Sequence, residues 1–204
     1  MKLLTKLSPL ILLLAAPLAA QMPPPPNPNP AAAQAGTYTV EPRHTRIQFS
    51  VLHLGFSDWY GDLTGAAGKL TFDPAHVAAS QVDVTIPMAS ISTTNATLDG
   101  ELKSAAWFDA DQYPEIRFTS VKVIKTGART AKITGKLTLH GVTRPVTLDA
   151  AFNASGVNVQ SKAHTIGFNA TTTINRSDYG VKTYLPLIGD AVTIRISAAF
   201  ERAA

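Results

Sequence analysis

The stretch AKITGKLTLHGVTRPVTLDAAF, Ala131–Phe152, decides the fold. In its first half Ala131, Ile133, Gly135, Leu137 and Leu139 alternate with Lys132, Thr134, Lys136 and Thr138. In its second half Val146, Leu148, Ala150 and Phe152 keep the same period. A period of two sends successive side chains to opposite faces, so each run is a strand with one apolar and one wet face. One-sided strands belong to antiparallel sheets, because parallel sheets are covered on both faces.

The same pattern runs through the rest of the chain. In RIQFSVLHLGF, Arg46–Phe56, the apolar phase is Ile47, Phe49 and Val51, and the next position of that phase is His53. Asp58, Trp59 and Tyr60 read as the loop that follows, and LTGAAGKLTF, Leu63–Phe72, as the next strand. QVDVTIP carries Val82, Val84 and Ile86 on one side. EIRFTSVKVI places Ile116 and Phe118 inward, then shifts phase to Val121 and Val123, which predicts a bulge near Thr119 or Ser120. HTIGFNATTTI contributes Ile166, Phe168, Ala170 and Ile174; VTIRISAAF contributes Val192, Ile194, Ile196, Ala198 and Phe200. About eight strands result. One helix is predicted inside Thr94–Phe108, from the spacing of Leu98, Leu102, Ala105 and Ala106. Thr94 or Asn95 can cap it, Asp99 and Lys103 form an i,i+4 pair, and Gly100 weakens it by about 1 kcal/mol.

Residues 1–20 have Lys2 and Lys6, an apolar run Leu10–Ala16, and small residues at Ala19 and Ala20. This is the pattern of a cleavable secretory signal peptide, with an apolar core too short to span a bilayer. Residues 21–35 form a proline-rich spacer: Met22–Ala35 holds six of the fourteen prolines and no charge. It is expected to be an extended tether that stays out of the core. Residues 36–204 suit one domain, large enough to be stable without crosslinks. No later segment is long and apolar enough to span a membrane.

Composition removes several function classes. The absence of cysteine excludes disulfides, thiol catalysis and thiolate metal sites. Losing residues 1–20 takes away Lys2 and Lys6 and no acid, so the net charge of +4 becomes +2. No stripe of Lys and Arg interleaved with aromatics marks a nucleic-acid surface. His44, His53, His76, His140 and His164 show no metal-ligand spacing, and there is no GxSxG elbow or phosphate loop. No catalytic and no metal-binding residue is therefore assigned.

Eight antiparallel strands either close into a barrel or split into a sandwich. The inward phase holds Ala66, Gly68, Gly135, Ala150, Ala170 and Ala198 among larger residues. Small inward residues either leave room for one ligand or taper a solid core. His53 has two matching readings: a cavity residue that meets a polar ligand head, or a structural residue pinning the turn with Gly55.

Three segments carry a resemblance. HTRIQFSVLHLGFSDWYGDLTGAAGKLTFD, ELKSAAWFDADQYPEIRFTS and ITGKLTLHGVTRPVTLDAAF resemble, in order, segments of the YceI-like family of periplasmic polyisoprenoid-binding proteins. The Asp178-Tyr179-Gly180 loop and the Ile188-Gly189-Asp190 turn fit as well, and the likeness spans Thr37–Arg202. In the family segment a Gly-Val-Thr-Arg-Pro-Val turn joins two strands. The resemblance implies an all-β fold, an eight-stranded antiparallel lipocalin-like barrel with an inserted helical segment. It also implies an elongated apolar cavity for a long isoprenoid chain, such as a quinone or prenyl phenol, or a similar amphiphile, with no other cofactor.

The expected wall is Phe49, Val51, Phe72, Val84, Phe118, Leu137, Leu139, Phe152, Phe168 and Ile194, with His53 near one end and Leu98 and Leu102 as a cover. Gly135 and Ala150 are expected to border ligand space. Family members often form homodimers, although no heptad or exposed apolar strip here demands one. The rival is a secreted β-domain that acts through surface protein contacts and has a solid core.

Overall fold

A computed structural model describes residues 24–202. Residues 1–20, the expected signal peptide, lie outside the described residues. The chain forms β1 (Gly36–Val40), β2 (Arg46–His53), β3 (Ser57–Leu63), β4 (Ala67–Phe72), β5 (Gln81–Pro87), the helix α1 (Ala96–Lys103), β6 (Glu115–Lys125), β7 (Thr130–Leu139), β8 (Val142–Val157), β9 (His164–Asn175) and β10 (Ile188–Arg202). Every ladder is antiparallel, as the one-sided strands require.

Ten segments make an eight-stranded closed barrel, because two of its strands are broken. β1 pairs with one end of β10 through Thr39↔Glu201 and Val40↔Phe200, and β2 pairs with the other, from Ile196↔Ile47 to Val192↔Val51. Across them, β4 lies on β1 and β3 lies on β2. The first break is a turn in which the Glu41 carboxylate accepts from the Arg43 and His44 amides at 3.1 and 2.8 Å. The second falls within LTGAAGKLTF, where Gly65 takes a φ of 70°. That stretch is therefore two strands. Asp58, Trp59 and Tyr60 belong to β3 rather than to a loop, and alternation sends Trp59 inward and the other two out.

The segment that decided the fold is a hairpin, tighter than the expected turn. Leu139 faces Val142, so only His140 and Gly141 turn the chain, at φ 49° and 71°. Two positive φ values match the twist of the flanking strands, and glycine takes the second without strain. Pro145 lies inside β8, in a half that has no β9 ladder, since β8 pairs with β9 only from Asp149 onward. The expected bulge in β6 lies between Ser120 and Lys122. Val121 is the extra residue and is 67% exposed, so it does not resume the inward phase, whereas Val123 does.

α1 falls within the predicted window, and Asn95 caps it by accepting from the Thr97 and Leu98 amides. The expected Asp99–Lys103 pair persists as a charge interaction without close contact, and the stronger partners of Asp99 lie elsewhere. The Asp99 carboxylate accepts from the Thr93 amide and hydroxyl at 2.6 and 2.7 Å and ties the helix to the segment before it. That segment reaches the barrel through an Asp62↔Ser92 bridge on the free edge of β3. The helical excursion thus covers one end of the barrel.

Four phenylalanines close the other end. Phe168 meets Phe72, Phe152 and Phe200 edge-on with centroids 5.4–6.2 Å apart, and Phe72 stacks on Phe152 at 6.3 Å. Tyr38 and Ile166, both 0% exposed, complete this floor.

The expectation of a free proline-rich tether fails for residues 24–35. Asn27 exchanges two backbone hydrogen bonds with Ser155, at 2.7 and 2.9 Å, and Ala33 is buried in the floor cluster. Tyr38 Oη donates to the Gln34 carbonyl at 2.6 Å. Proline restricts the unfolded segment, so docking it loses less entropy than docking an ordinary one. Deleting residues 24–35 is expected to destabilise the protein by about 2 kcal/mol, a fall in melting temperature of about 4–8 °C in calorimetry. An unchanged midpoint would return the segment to the role of a tether.

Candidate functional site

The inward phase of β9 shows what the barrel encloses. Phe168, Ala170, Thr172 and Ile174 are half-buried, while Asn169, Thr171, Thr173 and Asn175 between them are exposed. In a solid core the inward set would be fully buried. These side chains border a cavity of about 570 Å³, within the usual range for ligand sites. Ala150, Ala170 and Ala198 give it width, since Ala150 and Ala170 face each other across β8 and β9.

Of the residues expected in the wall, Phe49, Val51, Val84, Phe118, Leu137, Leu139, Phe168 and Ile194 line the cavity, and Leu98 and Leu102 cover it from α1. Phe72 and Phe152 do not line it; they are the stacked pair of the floor, turned to the far side of Phe168. Gly135 does not border ligand space either. The Phe118 ring lies directly over it, and a Cβ there would collide with that ring. Phe49 covers Gly61 in the same way. These two glycines let large rings lie flat against the wall, which keeps the lumen open.

His53 borders the cavity, at the end of β2, with its ring 5.5 Å from that of Trp59. Its carbonyl accepts from the Phe56 amide and so closes the turn, but among the described residues its imidazole has no hydrogen-bond partner. The turn is thus closed by the backbone and not pinned by the imidazole, which borders the cavity. Asn95, Thr97, Glu101 and Tyr184 line the same end, so the cavity is apolar along its length and polar at the helix-covered mouth.

Sequence reasoning missed a chain of contacts at that mouth. Glu101 of α1 accepts from Trp107 Nε1 at 3.0 Å, and the Trp107 ring carries the Arg176 guanidinium 5.3 Å from its centroid. Arg176 is 4% exposed and donates to the carbonyls of Val181, Ile188 and Gly189 at 2.9–3.1 Å. Burial lowers its pKa, and the nearby Asp190 charge opposes the shift. Asp190 is itself held by the Ser177 hydroxyl and amide. One buried charge therefore folds the loop between β9 and β10 and anchors the helical cover to it. The motif NRSDYG contains this arginine, but nothing in its pattern separates a buried arginine from a solvated one.

Among the described residues no group of three or more His, Cys, Asp or Glu is placed to hold a metal ion, and no helix is long and apolar enough to cross a membrane.

Replacing Arg176 with methionine keeps the stem but leaves three carbonyls without their donor. The expected loss is about 3 kcal/mol, read as a drop of about 6–12 °C in melting temperature; a smaller shift than Arg144→Met would mean that the buried contacts do not hold the loop. A second test uses pH. The Thr93 hydroxyl and amide, with Ser92, hold the Asp99 carboxyl below the usual carboxylate range. Its clamp is complete above the ordinary aspartate value and is lost as pH falls through the lower folded value. Trp107 fluorescence should report loosening of the cover in that acid window, and Asp99→Asn should abolish the transition.

The YceI-like domain family matches residues 38–200. A UPF0312 protein of Pseudomonas putida (strain W619) is 40% identical over 152 residues, covering 74% of this chain and 79% of that protein. The crystal structure of the Campylobacter jejuni YCEI protein is 31% identical with a TM-score of 0.66, covering 74% of this chain and 90% of its own. A polyisoprenoid binding domain from Saccharophagus degradans shares the fold at 12% identity, with a TM-score of 0.65 over 83% of this chain and 100% of its own. With the barrel, the helical cover and a family match across nearly all of the described residues, the chain belongs to the YceI-like domain family.

Proposed function

We propose that this protein binds a long-chain isoprenoid or similar amphiphile, of the quinone or prenyl-phenol type, and sequesters or carries it in the periplasm. The observation that carries the reading is the apolar cavity of about 570 Å³ running from a polar mouth to an aromatic floor. A tail has no stable place in water. Burying the equivalent of about twenty methylenes is worth roughly 16 kcal/mol gross, against an association cost of about 4–15 kcal/mol. Substantial affinity is therefore within reach without a strong polar contact, and polar groups serve to orient the head.

His53 is the group we assign to the head, because its imidazole borders the cavity near the mouth and, among the described residues, has no hydrogen-bond partner. Arg176 also borders the cavity, but three of its five donors hold carbonyls and its face rests on Trp107, so we assign it to the frame. The tail end would rest against Phe168 above the floor. The polyisoprenoid binding domain of Saccharophagus degradans supports the ligand class through a shared barrel. Periplasmic residence rests on the signal-peptide pattern of residues 1–20.

Organic extraction of protein purified from its exported form, with native mass spectrometry alongside, is expected to yield a bound isoprenoid-class lipid. Ala150→Phe should fill the lumen and reduce lipid content several-fold with little loss of stability. If the parent yields no lipid and the variant is destabilised by about 1–3 kcal/mol, the interior is a solid core and the proposal fails.

A further inference from the structure

Large apolar side chains that stand in solvent are concentrated in one place. Of the ten among the described residues, Leu52, Leu54, Phe56, Tyr60, Tyr184 and Leu187 come from the β2–β3 hairpin and the loop before β10. The Leu54 amide donates to the Leu187 carbonyl at 2.9 Å, and His53 pairs with Ile188, so the two segments form one tip. Phe56 is 89% exposed and Leu187 61%. Residues 47–57 and 183–189 carry no charge, and of the charges that border them Asp58, opposite Leu52, and Lys182 offset each other. Behind the tip, His53, Trp59, Tyr184 and Ile188 line the cavity. The apolar surface is thus continuous from the solvent-facing tip into the lumen.

From this continuity, and resting on the lipid-binding reading above, we infer that the tip formed by the β2–β3 hairpin and the 184–188 loop seats in a phospholipid bilayer, so that ligand enters the cavity from the membrane without crossing water. The ligand chemistry selects the occupant. A long apolar tail resides in a bilayer, and passing it through water would expose the surface that the cavity exists to cover. A second copy of the chain on the same tip would seal the entrance that Tyr184 shares between lumen and solvent. The tip also has the composition of an interfacial anchor, with apolar side chains at the front and tyrosines behind.

Charge sets the manner of contact. The helical cover, residues 88–114, carries Asp99, Glu101, Asp109 and Asp111 against Lys103. An anionic leaflet repels that side of the mouth, so the contact is an apolar insertion by the neutral tip and not an electrostatic attachment. Binding should therefore be insensitive to salt and should not increase with anionic lipid.

The test is co-sedimentation of the full-length mature protein with phosphatidylcholine vesicles, with and without phosphatidylglycerol, at low and high salt. The variants are Phe56→Ser with Leu187→Ser, and Val121→Ser with Val159→Ser as an exposed control away from the tip. The tip variant is expected to lower the bound fraction by about tenfold, with the control unchanged and the melting temperature of both unaltered. Uptake of parinaric acid added from ethanol reads the cavity separately and should be the same in all three proteins, whereas transfer of the same probe out of vesicles should slow only in the tip variant. A parent that takes up the probe but does not sediment overturns the docking site and leaves the cavity standing. A parent that sediments through the tip but takes up no probe keeps the docking site and removes the cavity reading. Binding that salt abolishes, binding that the tip variant retains, or a concentration-dependent dimer that the tip variant loses would each overturn the inference.

Discussion

The cavity depends on a seam of two residue pairs, Thr39↔Glu201 and Val40↔Phe200, where the first strand meets the last. Without it the sheet would be open, with two free edges and an apolar face turned to water. The seam is short because β1 stops at Val40, and side chains and turns extend it. Glu41 donates its amide to the Ala199 carbonyl at 2.8 Å, and Thr45, 5% exposed, accepts from the Ala199 amide through its hydroxyl. Arg202 reaches across to the Ala35 carbonyl at 2.9 Å. Every contact of the seam joins residues far apart in the chain, so the barrel closes only when both termini are in place.

Closure makes the two ends of the lumen unlike. At one end four phenylalanines, Tyr38 and the docked proline-rich segment close the lumen and leave only a small cavity of about 70 Å³ on its far side. At the other end the strands are interrupted or unpaired. Among the described residues β3 has only the Ser92 bridge on its free edge, and the first half of β8 has no β9 partner. An opening in a sheet must satisfy its backbone groups by other means. The helical excursion and the 176–187 loop do so, joined through Glu101, Trp107 and Arg176. A buried arginine suits that task because its planar fork satisfies several carbonyls at once while its face rests on an indole.

Openness along the length of the lumen has its own cause. Aromatic rings would ordinarily cross a barrel of this size and fill it. Here Phe49 and Phe118 lie flat because Gly61 and Gly135 on the neighbouring strands have no Cβ to lift them. The alanines of β8, β9 and β10 leave the opposite wall thin. Width thus comes from glycine under aromatic on one side and from alanine on the other.

The sequence by itself determined the period-two strands, their antiparallel sense, the bulge in β6, the capped helix and the inward identity of most of the wall. Each is a local or pairwise consequence of residue order, and alternation needs no knowledge of the partner strand. Only the tertiary structure decided the rest. Gly135 read as free space, yet the ring that occupies it comes from β6, and no local pattern records a cross-strand neighbour. Phe72 and Phe152 share the phase of the wall, but alternation gives the face and not the height, so it could not separate floor from lumen. The proline-rich segment read as a tether because its own composition supports no core; the floor that Ala33 joins is built from β1, β4, β8, β9 and β10. Arg176 drew no reading at all, because burial is a property of what folds around a residue. Strand chemistry is written along the chain, whereas depth, closure and the mouth arise from which distant segments meet.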